Sequence, residues 1–300
     1  MTIAVTGAFS YYGKYITRRL LERGEHVITL TNHPHRADPF DNKVRTFPLN
    51  FDNAKGLVET LRGVEVLVNT YWVRFDRRSN TQPRAVENTK ILIQAAGQAG
   101  VRRVVHISIT NPSIHSPLPY FRGKAVNEQT VVHSGMNYAI LRPTVLFGRE
   151  DILINNIAWI LRRFPAFGLP ANGEYRLSPV YVDDLSQMVV DSIYSEANFI
   201  RDAVGPEEYT FRQMVSLIGT TIGVQRALIP LPPRVALFCA QVIGLFVRDV
   251  VLTPNEVQGL MANLLVSSEP PRCKTRLSAW LTENSESLGK EYASELNRHY

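Results

Sequence analysis

The turn that begins at Gly7 constrains this chain more than any other segment. The opening residues read Ile3-Ala4-Val5-Thr6-Gly7-Ala8-Phe9-Ser10-Tyr11-Tyr12-Gly13. A short apolar run stops at a glycine, and a small residue and a second glycine follow at intervals of three. An amphipathic stretch then continues to residue 23. A strand that enters a helix through such a turn has the layout that cradles a dinucleotide pyrophosphate. Gly7 permits the tight turn, Ser10 is small enough for phosphates to approach the backbone, and Gly13 lets helix and strand pack closely. The helix start adds unpaired N–H groups and the positive end of its dipole. Phe9, Tyr11 and Tyr12 lie in the same turn and complete its set of candidate cofactor-binding residues.

The rest of the first half alternates β-branched runs with helical stretches, the pattern of an α/β chain with a doubly wound parallel sheet. Strands are expected over 3–6, 26–30, 44–47, 64–69, 103–108 and 137–142, and helices over 13–23, 54–61, 82–100 and 123–134. Each crossover is long enough for a right-handed βαβ connection. Val180-Tyr181-Val182-Asp183-Asp184 reads as a later return to this core, with a helix from Leu185; the two aspartates read as structural, tying strand to helix start. Segments 149–172 and 200–300 are richer in Pro and large apolar residues. The expected division is therefore 1–148 plus 173–199 as the dinucleotide-binding domain, and 149–172 plus 200–300 as a smaller C-terminal α/β substrate or interaction lobe.

Composition narrows the function classes. A chain of 300 residues with 45% hydrophobic and 20% charged residues can bury a sizeable core. Its net charge of +6 suits an anionic cofactor. The charge is spread along the chain with no Lys/Arg block, so nucleic acid is not an expected partner. Cys239 and Cys273 have no ligand spacing, and the histidines form no cluster, so no metal site is expected. The first strand starts so early that a cytoplasmic location is expected. One tail segment stands out: 234–248 is apolar apart from Arg234, Gln241 and Arg248, which lie seven apart on one helical stripe. It is too short to span a bilayer. Three readings stay open: a helix packed on the second lobe, a helix on a membrane surface, and a protein contact such as a dimer interface.

Tyr120 and Lys124 form a Tyr-x-x-x-Lys pair. On a helix the two share one face, and a nearby ammonium favours the phenolate, which suits acid–base work. The pair falls between the fifth and sixth expected strands, where a doubly wound dinucleotide enzyme brings its chemistry to the cofactor.

With these pieces in hand, the chain resembles the extended or atypical short-chain dehydrogenases/reductases. The resemblance rests on Thr6-Gly7-Ala8…Gly13, Asn88, Ser108, Tyr120 with Lys124, Leu141-Arg142-Pro143-Thr144, Phe147-Gly148 and Val180-Tyr181-Val182-Asp183-Asp184. Within that superfamily the chain is similar to the NmrA-like proteins and to the NADPH-binding accessory subunit of mitochondrial complex I. The resemblance implies a Rossmann core, a bound nicotinamide dinucleotide, a lysine that holds the nicotinamide ribose and a tyrosine that acts as acid/base. It also places Asn88, Pro143 and Thr144 at the cofactor. Two departures stand against it. Ser10 replaces the central glycine of the family turn, and Ile109 occupies the place of the family's catalytic Ser or Thr. Ser108 and Thr110 flank it. If the strand continues through 110, both hydroxyls miss the usual direction; if it ends in a turn, Thr110 reaches inward.

The end of the second strand reads Leu30-Thr31-Asn32-His33-Pro34-His35-Arg36. A carboxylate there would bind the adenosine ribose and repel a 2′-phosphate, and none is present. Thr31, Asn32, His33 and Arg36 offer donors, which favours NADP(H) over NAD(H). Asn50 and Phe51 follow the third strand, at the family's adenine position; Asn69, Thr70 and Tyr71 end the fourth, near the expected ribose and nicotinamide. Tyr71 and Trp72 read equally as packing aromatics. Asn155, Asn156, Trp159 and Phe167 sit where the second lobe should meet substrate, most of them as packing residues. Two functions follow: an NADP(H)-dependent oxidoreductase or epimerase acting on a small carbonyl or carbinol substrate, hydrophobic ones included, and a non-catalytic NADP(H)-binding sensor or assembly protein.

Overall fold

A computed structural model describes residues 1–33 and 36–296. Among these, the chain divides into two compact units: Met1–Pro143 with Val182–Ala203, and Thr144–Tyr181 with Val204 onward. The sequence put the first division at 148/149. Val145–Phe147 falls instead in the second unit, because it pairs with Pro179–Tyr181 and not with the main sheet.

The first unit is a seven-stranded parallel sheet between two layers of helices. Its strands are β1 (Thr2–Thr6), β2 (His26–Thr31), β3 (Arg45–Pro48), β4 (Val66–Asn69), β5 (Arg103–Ile107), β6 (Asn137–Pro143) and, much later in the chain, β11 (Phe199–Ala203). They lie in the order β11-β6-β5-β4-β1-β2-β3. The central strands β1, β4 and β5 are buried on both faces between helices, which explains runs such as Ile3-Ala4-Val5 and Val66-Leu67-Val68 that show no polar alternation, whereas the edge strands β3 and β11 are partly exposed. Helices α1 (Tyr11–Glu22) and α6 (Val182–Ile193) pack together, as do α2 (Ala54–Leu61), α3 (Gln82–Ala99) and α4 (Pro119–Val132) in turn. One core joins Leu30, Leu57, Leu67, Leu92, Val104 and Ile140. The Arg19 guanidinium binds both oxygens of Asp183, at 2.7 and 2.8 Å, and so ties α1 to the returning α6.

The chain leaves β1 toward β2 and β3, then crosses back to lay β4 on the other side of β1. Beyond the carboxyl ends of β1 and β4 the connections diverge, and this switch point is where open α/β sheets bind ligands. Gly7 follows β1 and Thr70 follows β4.

The second unit contains β7 (Val145–Phe147), α5 (Leu153–Arg163), β8 (Ala166–Pro170), β9 (Arg176–Leu177), β10 (Pro179–Tyr181), β12 (Tyr209–Thr210), α7 (Phe211–Thr221), β13 (Ala227–Leu231), α8 (Pro233–Val247), α9 (Pro254–Met261) and α10 (Leu277–Asn284). Its strands pair only two by two. Its own core gathers Phe147, Ile154, Leu161, Leu169, Met214, Ile218 and Leu281. Asn156, Trp159 and Phe167 pack within this unit: Asn156 exchanges two hydrogen bonds with the Ala293 backbone, Trp159 stacks edge-on with Tyr292, and Phe167 packs near Phe211. No helix among the described residues is long and apolar enough to cross a membrane.

Candidate functional site

The turn after β1 is built by close approach. Gly7 has φ +68°, a left-handed conformation that glycine adopts at no steric cost. Its N–H donates to the Leu30 carbonyl at 2.9 Å, and its carbonyl accepts from Ser10 N at 2.8 Å. A Cβ on Gly13 would stand 2.1 Å from the Gly7 carbonyl oxygen, so no other residue fits there. Ser10 caps α1 without spending its side chain on a cap hydrogen bond. The first turn of any helix presents N–H groups that its own backbone ladder does not use, and here that turn opens at Tyr11. The result is a helix start in contact with strand backbone, which fits a pyrophosphate. The aromatic residues of the turn act differently. Phe9 is buried against Phe40, with ring centroids 6.1 Å apart. Tyr11 packs edge-on against Tyr12 and Tyr15, and the Tyr12 hydroxyl donates to the Thr70 carbonyl at 2.9 Å, joining the helix to the end of β4.

At the end of β4, Asn69, Thr70 and Tyr71 form a locked set. The Thr70 N–H donates to Thr6 Oγ1 at 2.7 Å, and the Thr70 hydroxyl to the Thr6 carbonyl. Asn69 Oδ1 accepts from the Tyr71 N–H at 3.1 Å, which fixes the amide orientation; its Nδ2 therefore donates to His106 Nδ1, also at 3.1 Å. His106 carries its proton on Nε2, and that group is buried without a hydrogen-bond partner. Burial, with the Lys124 charge nearby, pushes the imidazole down to about 3, so it stays neutral. The Tyr71 ring lies 4.9 Å from Phe51, and its hydroxyl accepts from Asn88 Nδ2 at 2.8 Å. Asn50 makes a turn of its own, its Oδ1 accepting from the Asp52 N–H at 3.0 Å.

Helix α4 begins at Pro119, before the expected start at 123, because proline is well suited to a first helical position. Tyr120 and Lys124 therefore sit one turn apart, and both meet Trp72. The Trp72 ring is edge-on to Tyr120 at 5.6 Å and lies 5.0 Å from the Lys124 ammonium. Gly123 makes this possible: a Cβ there would stand 2.6 Å from the indole. Lys124 is buried and donates to the Ile107 carbonyl at 2.9 Å. Desolvation pushes its ammonium down to about 7, with Glu128 working in the opposite direction. An ammonium has three donors, so capacity for a ribose hydroxyl remains.

Strand β5 ends at Ile107, yet its pairing with β6 continues: Ser108 N–H donates to the Leu141 carbonyl at 2.8 Å and Thr110 N–H to the Pro143 carbonyl at 3.0 Å. Thr110 gives its hydroxyl to Asp202 of β11 at 2.9 Å, whereas the Ser108 hydroxyl is buried without a partner. Thr144 opens the second unit and donates its hydroxyl to the Ser178 carbonyl. At the end of β2, Thr31 Oγ1 accepts from the His33 N–H at 3.0 Å, and Asn32 is exposed. The Arg36 N–H donates to the His33 carbonyl at 3.1 Å. Desolvation and the Arg36 charge hold the His33 imidazole below its usual range. Pro34 and His35 lie outside the described residues. No cluster of metal-ligating side chains occurs among the described residues.

Residues 7–154 match the protein family described as NAD(P)H-binding. This match agrees with the resemblance drawn from the sequence. The chain is similar to NADH dehydrogenase [ubiquinone] 1 alpha subcomplex subunit 9 of Mus musculus mitochondria, at 28% identity over 89% of this chain and 73% of the mouse protein. Its fold is shared by a nucleoside-diphosphate-sugar epimerase from Staphylococcus aureus (TM-score 0.71, 16% identity, 99% of each chain). It is shared also by a triphenylmethane reductase from Citrobacter sp. (TM-score 0.70, 15% identity, 95% of this chain and 100% of the reductase). His106 and Trp72 are the site residues that sequence reasoning did not assign. A histidine inside the apolar run Val104-Val105-His106-Ile107 was the available signal for the first.

Proposed function

We propose that the protein is an NADP(H)-dependent oxidoreductase or epimerase that acts on the carbonyl or carbinol group of a small-molecule substrate. The observation that carries this reading is the buried Lys124 one turn from Tyr120, in the same unit as the Gly7–Gly13 turn. The nicotinamide, when bound, supplies hydride chemistry. Tyr120 then gives its phenolic proton to the substrate oxygen on reduction, or takes it on oxidation. Lys124 holds the ribose and favours the phenolate. Ser108, whose buried hydroxyl lacks a partner, orients the oxygen, with Thr110 as the alternative. The backbone of the turn from Gly7 through Phe9, Ser10, Tyr11 and Tyr12 to Gly13 forms the pyrophosphate cradle, the aromatic side chains serving to pack it. Thr31, Asn32, His33 and Arg36 bind a 2′-phosphate; Asn50 and Phe51 border the adenine. Asn69, Thr70 and Tyr71 border the ribose and nicotinamide, and Asn88 and Pro143 add further cofactor contacts.

A second reading is a non-catalytic NADP(H)-binding protein. Ile109 at the usual hydroxyl position, Thr110 engaged with Asp202, and the similarity to a respiratory complex subunit favour it. Single-turnover hydride transfer from bound NADPH to a panel of aldehydes, ketones and quinones separates the two. Oxidation by wild type but not by Tyr120→Phe, with cofactor affinity retained, is the expected result. Equal oxidation by both would remove Tyr120 from the mechanism.

A further inference from the structure

Helix α8 is packed inside out. The side chains it buries are small: Ala236, Ala240 and Gly244, spaced four apart along one face. That face lies against its own unit, where α8 packs on β8 and a Cβ on Gly244 would stand 2.6 Å from the Asp249 carbonyl. The large apolar side chains point the other way. Phe246 is 84% exposed, Leu245 81% and Phe238 65%, with Val235 and Val242 also exposed between them. A water-facing helix carries polar residues there, and a contiguous apolar face of this kind marks an interaction surface.

The charges around this face indicate what covers it. At 100° per residue, Arg234 and Gln241 lie along one flank of the apolar face, and the exposed Arg248 follows at the helix's C-terminal end in a left-handed conformation. No Asp or Glu occurs from 227 to 248. The next acid, Asp249, is buried, and its carboxylate accepts from the N–H groups of Val250, Glu295 and Leu296. An apolar face on a helix that carries arginines and no carboxylate complements a lipid surface with anionic headgroups. A second copy fits less well: a two-fold contact through α8 would bring arginines together with no acid to pair them. The narrow polar stripe of this helix fits that reading, because the side opposite the apolar face packs on protein.

We infer that α8 is a monotopic docking helix that seats the second unit on an anionic bilayer surface. The inference is independent of the proposed catalysis. Cys239 provides the probe, since it is the exposed thiol of α8 while Cys273 is buried. The full-length protein, labelled at Cys239 with a polarity-sensitive fluorophore, is mixed with phosphatidylglycerol/phosphatidylcholine vesicles and with pure phosphatidylcholine vesicles, and binding is also read by flotation. The expected result is a blue shift and flotation with the anionic vesicles, weakened by salt. Phe246→Glu should reduce partitioning at least tenfold, and Arg234→Gln about fivefold. Both side chains are exposed, so the thermal melting temperature should be unchanged. Three results would overturn the inference: no flotation of wild type, equal binding to neutral and anionic vesicles with Arg234→Gln silent, or no flotation together with a concentration-dependent dimer that Phe246→Glu dissociates.

Discussion

Lys124 concentrates the chemistry of the first unit into one side chain. Its buried ammonium titrates at about 7, against 10.5 for an ordinary lysine. Between these values the unfolded chain holds a proton that the native state has released. Unfolding free energy therefore gains a contribution that rises with pH from about 7 to about 10.5, while below 7 the cost of the buried charge is fully present. Lys124→Met should be stabilised most, relative to wild type, at about pH 6.5, with the difference closing by about pH 10. Urea melts at the two ends check this, and a constant difference would contradict it. At the other end of the cofactor, Arg36→Ala should cost roughly 1.5–3 kcal/mol in NADPH affinity and leave NADH unaffected, if Arg36 makes a charged hydrogen bond to the 2′-phosphate. Calorimetric titration of both cofactors measures the gap. A wild-type preference for NADH would reverse the reading of that loop.

The fit of Trp72 into α4 is a property of elements. Alanine is a better helix former than glycine by roughly 0.8–1 kcal/mol, so propensity alone makes Gly123→Ala stabilising. The indole standing 2.6 Å from the added Cβ reverses that sign, at a cost of roughly 1–3 kcal/mol for overpacking. Trp72→Leu should recover most of the loss in the double variant, and denaturation of all four proteins gives the coupling. Additive effects would mean that Gly123 is not the notch for Trp72. The same pair marks where the sequence was hard to read. The strands and helices of the first half follow from buried β-branched runs and helical periodicity, and most were legible. The start of α4 was not, because Gly123 looked like a boundary when its role is to admit a ring from a distant loop. The Thr110–Asp202 hydrogen bond joins segments far apart in sequence, and no local pattern announces it. Helix α8 is apolar on nearly every side, so periodicity could not tell its buried face from its exposed one.

On the scale of the whole molecule, one sheet order sets the site. Placing β4 beside β1 brings the Gly7 turn, the Asn69–Tyr71 segment and, through His106, the end of β5 to one crevice edge. The second unit is held by different means. A Cβ on Gly205 would stand 1.7 Å from the Pro179 carbonyl, so Gly205→Ala should lower the stability of that unit by several kcal/mol. A thermal melt as stable as wild type would show that the backbone there relaxes freely. In the first unit, the proposed function turns on whether the Gly7–Gly13 turn binds NADP(H). Calorimetric titration of NADPH into wild type and Gly13→Val, with circular dichroism to establish that the variant is folded, tests it most directly. Saturable binding by wild type and none by the folded variant is expected, since the new side chain occupies the contact with the Gly7 carbonyl. Equal binding by both proteins, or none by wild type, would contradict it.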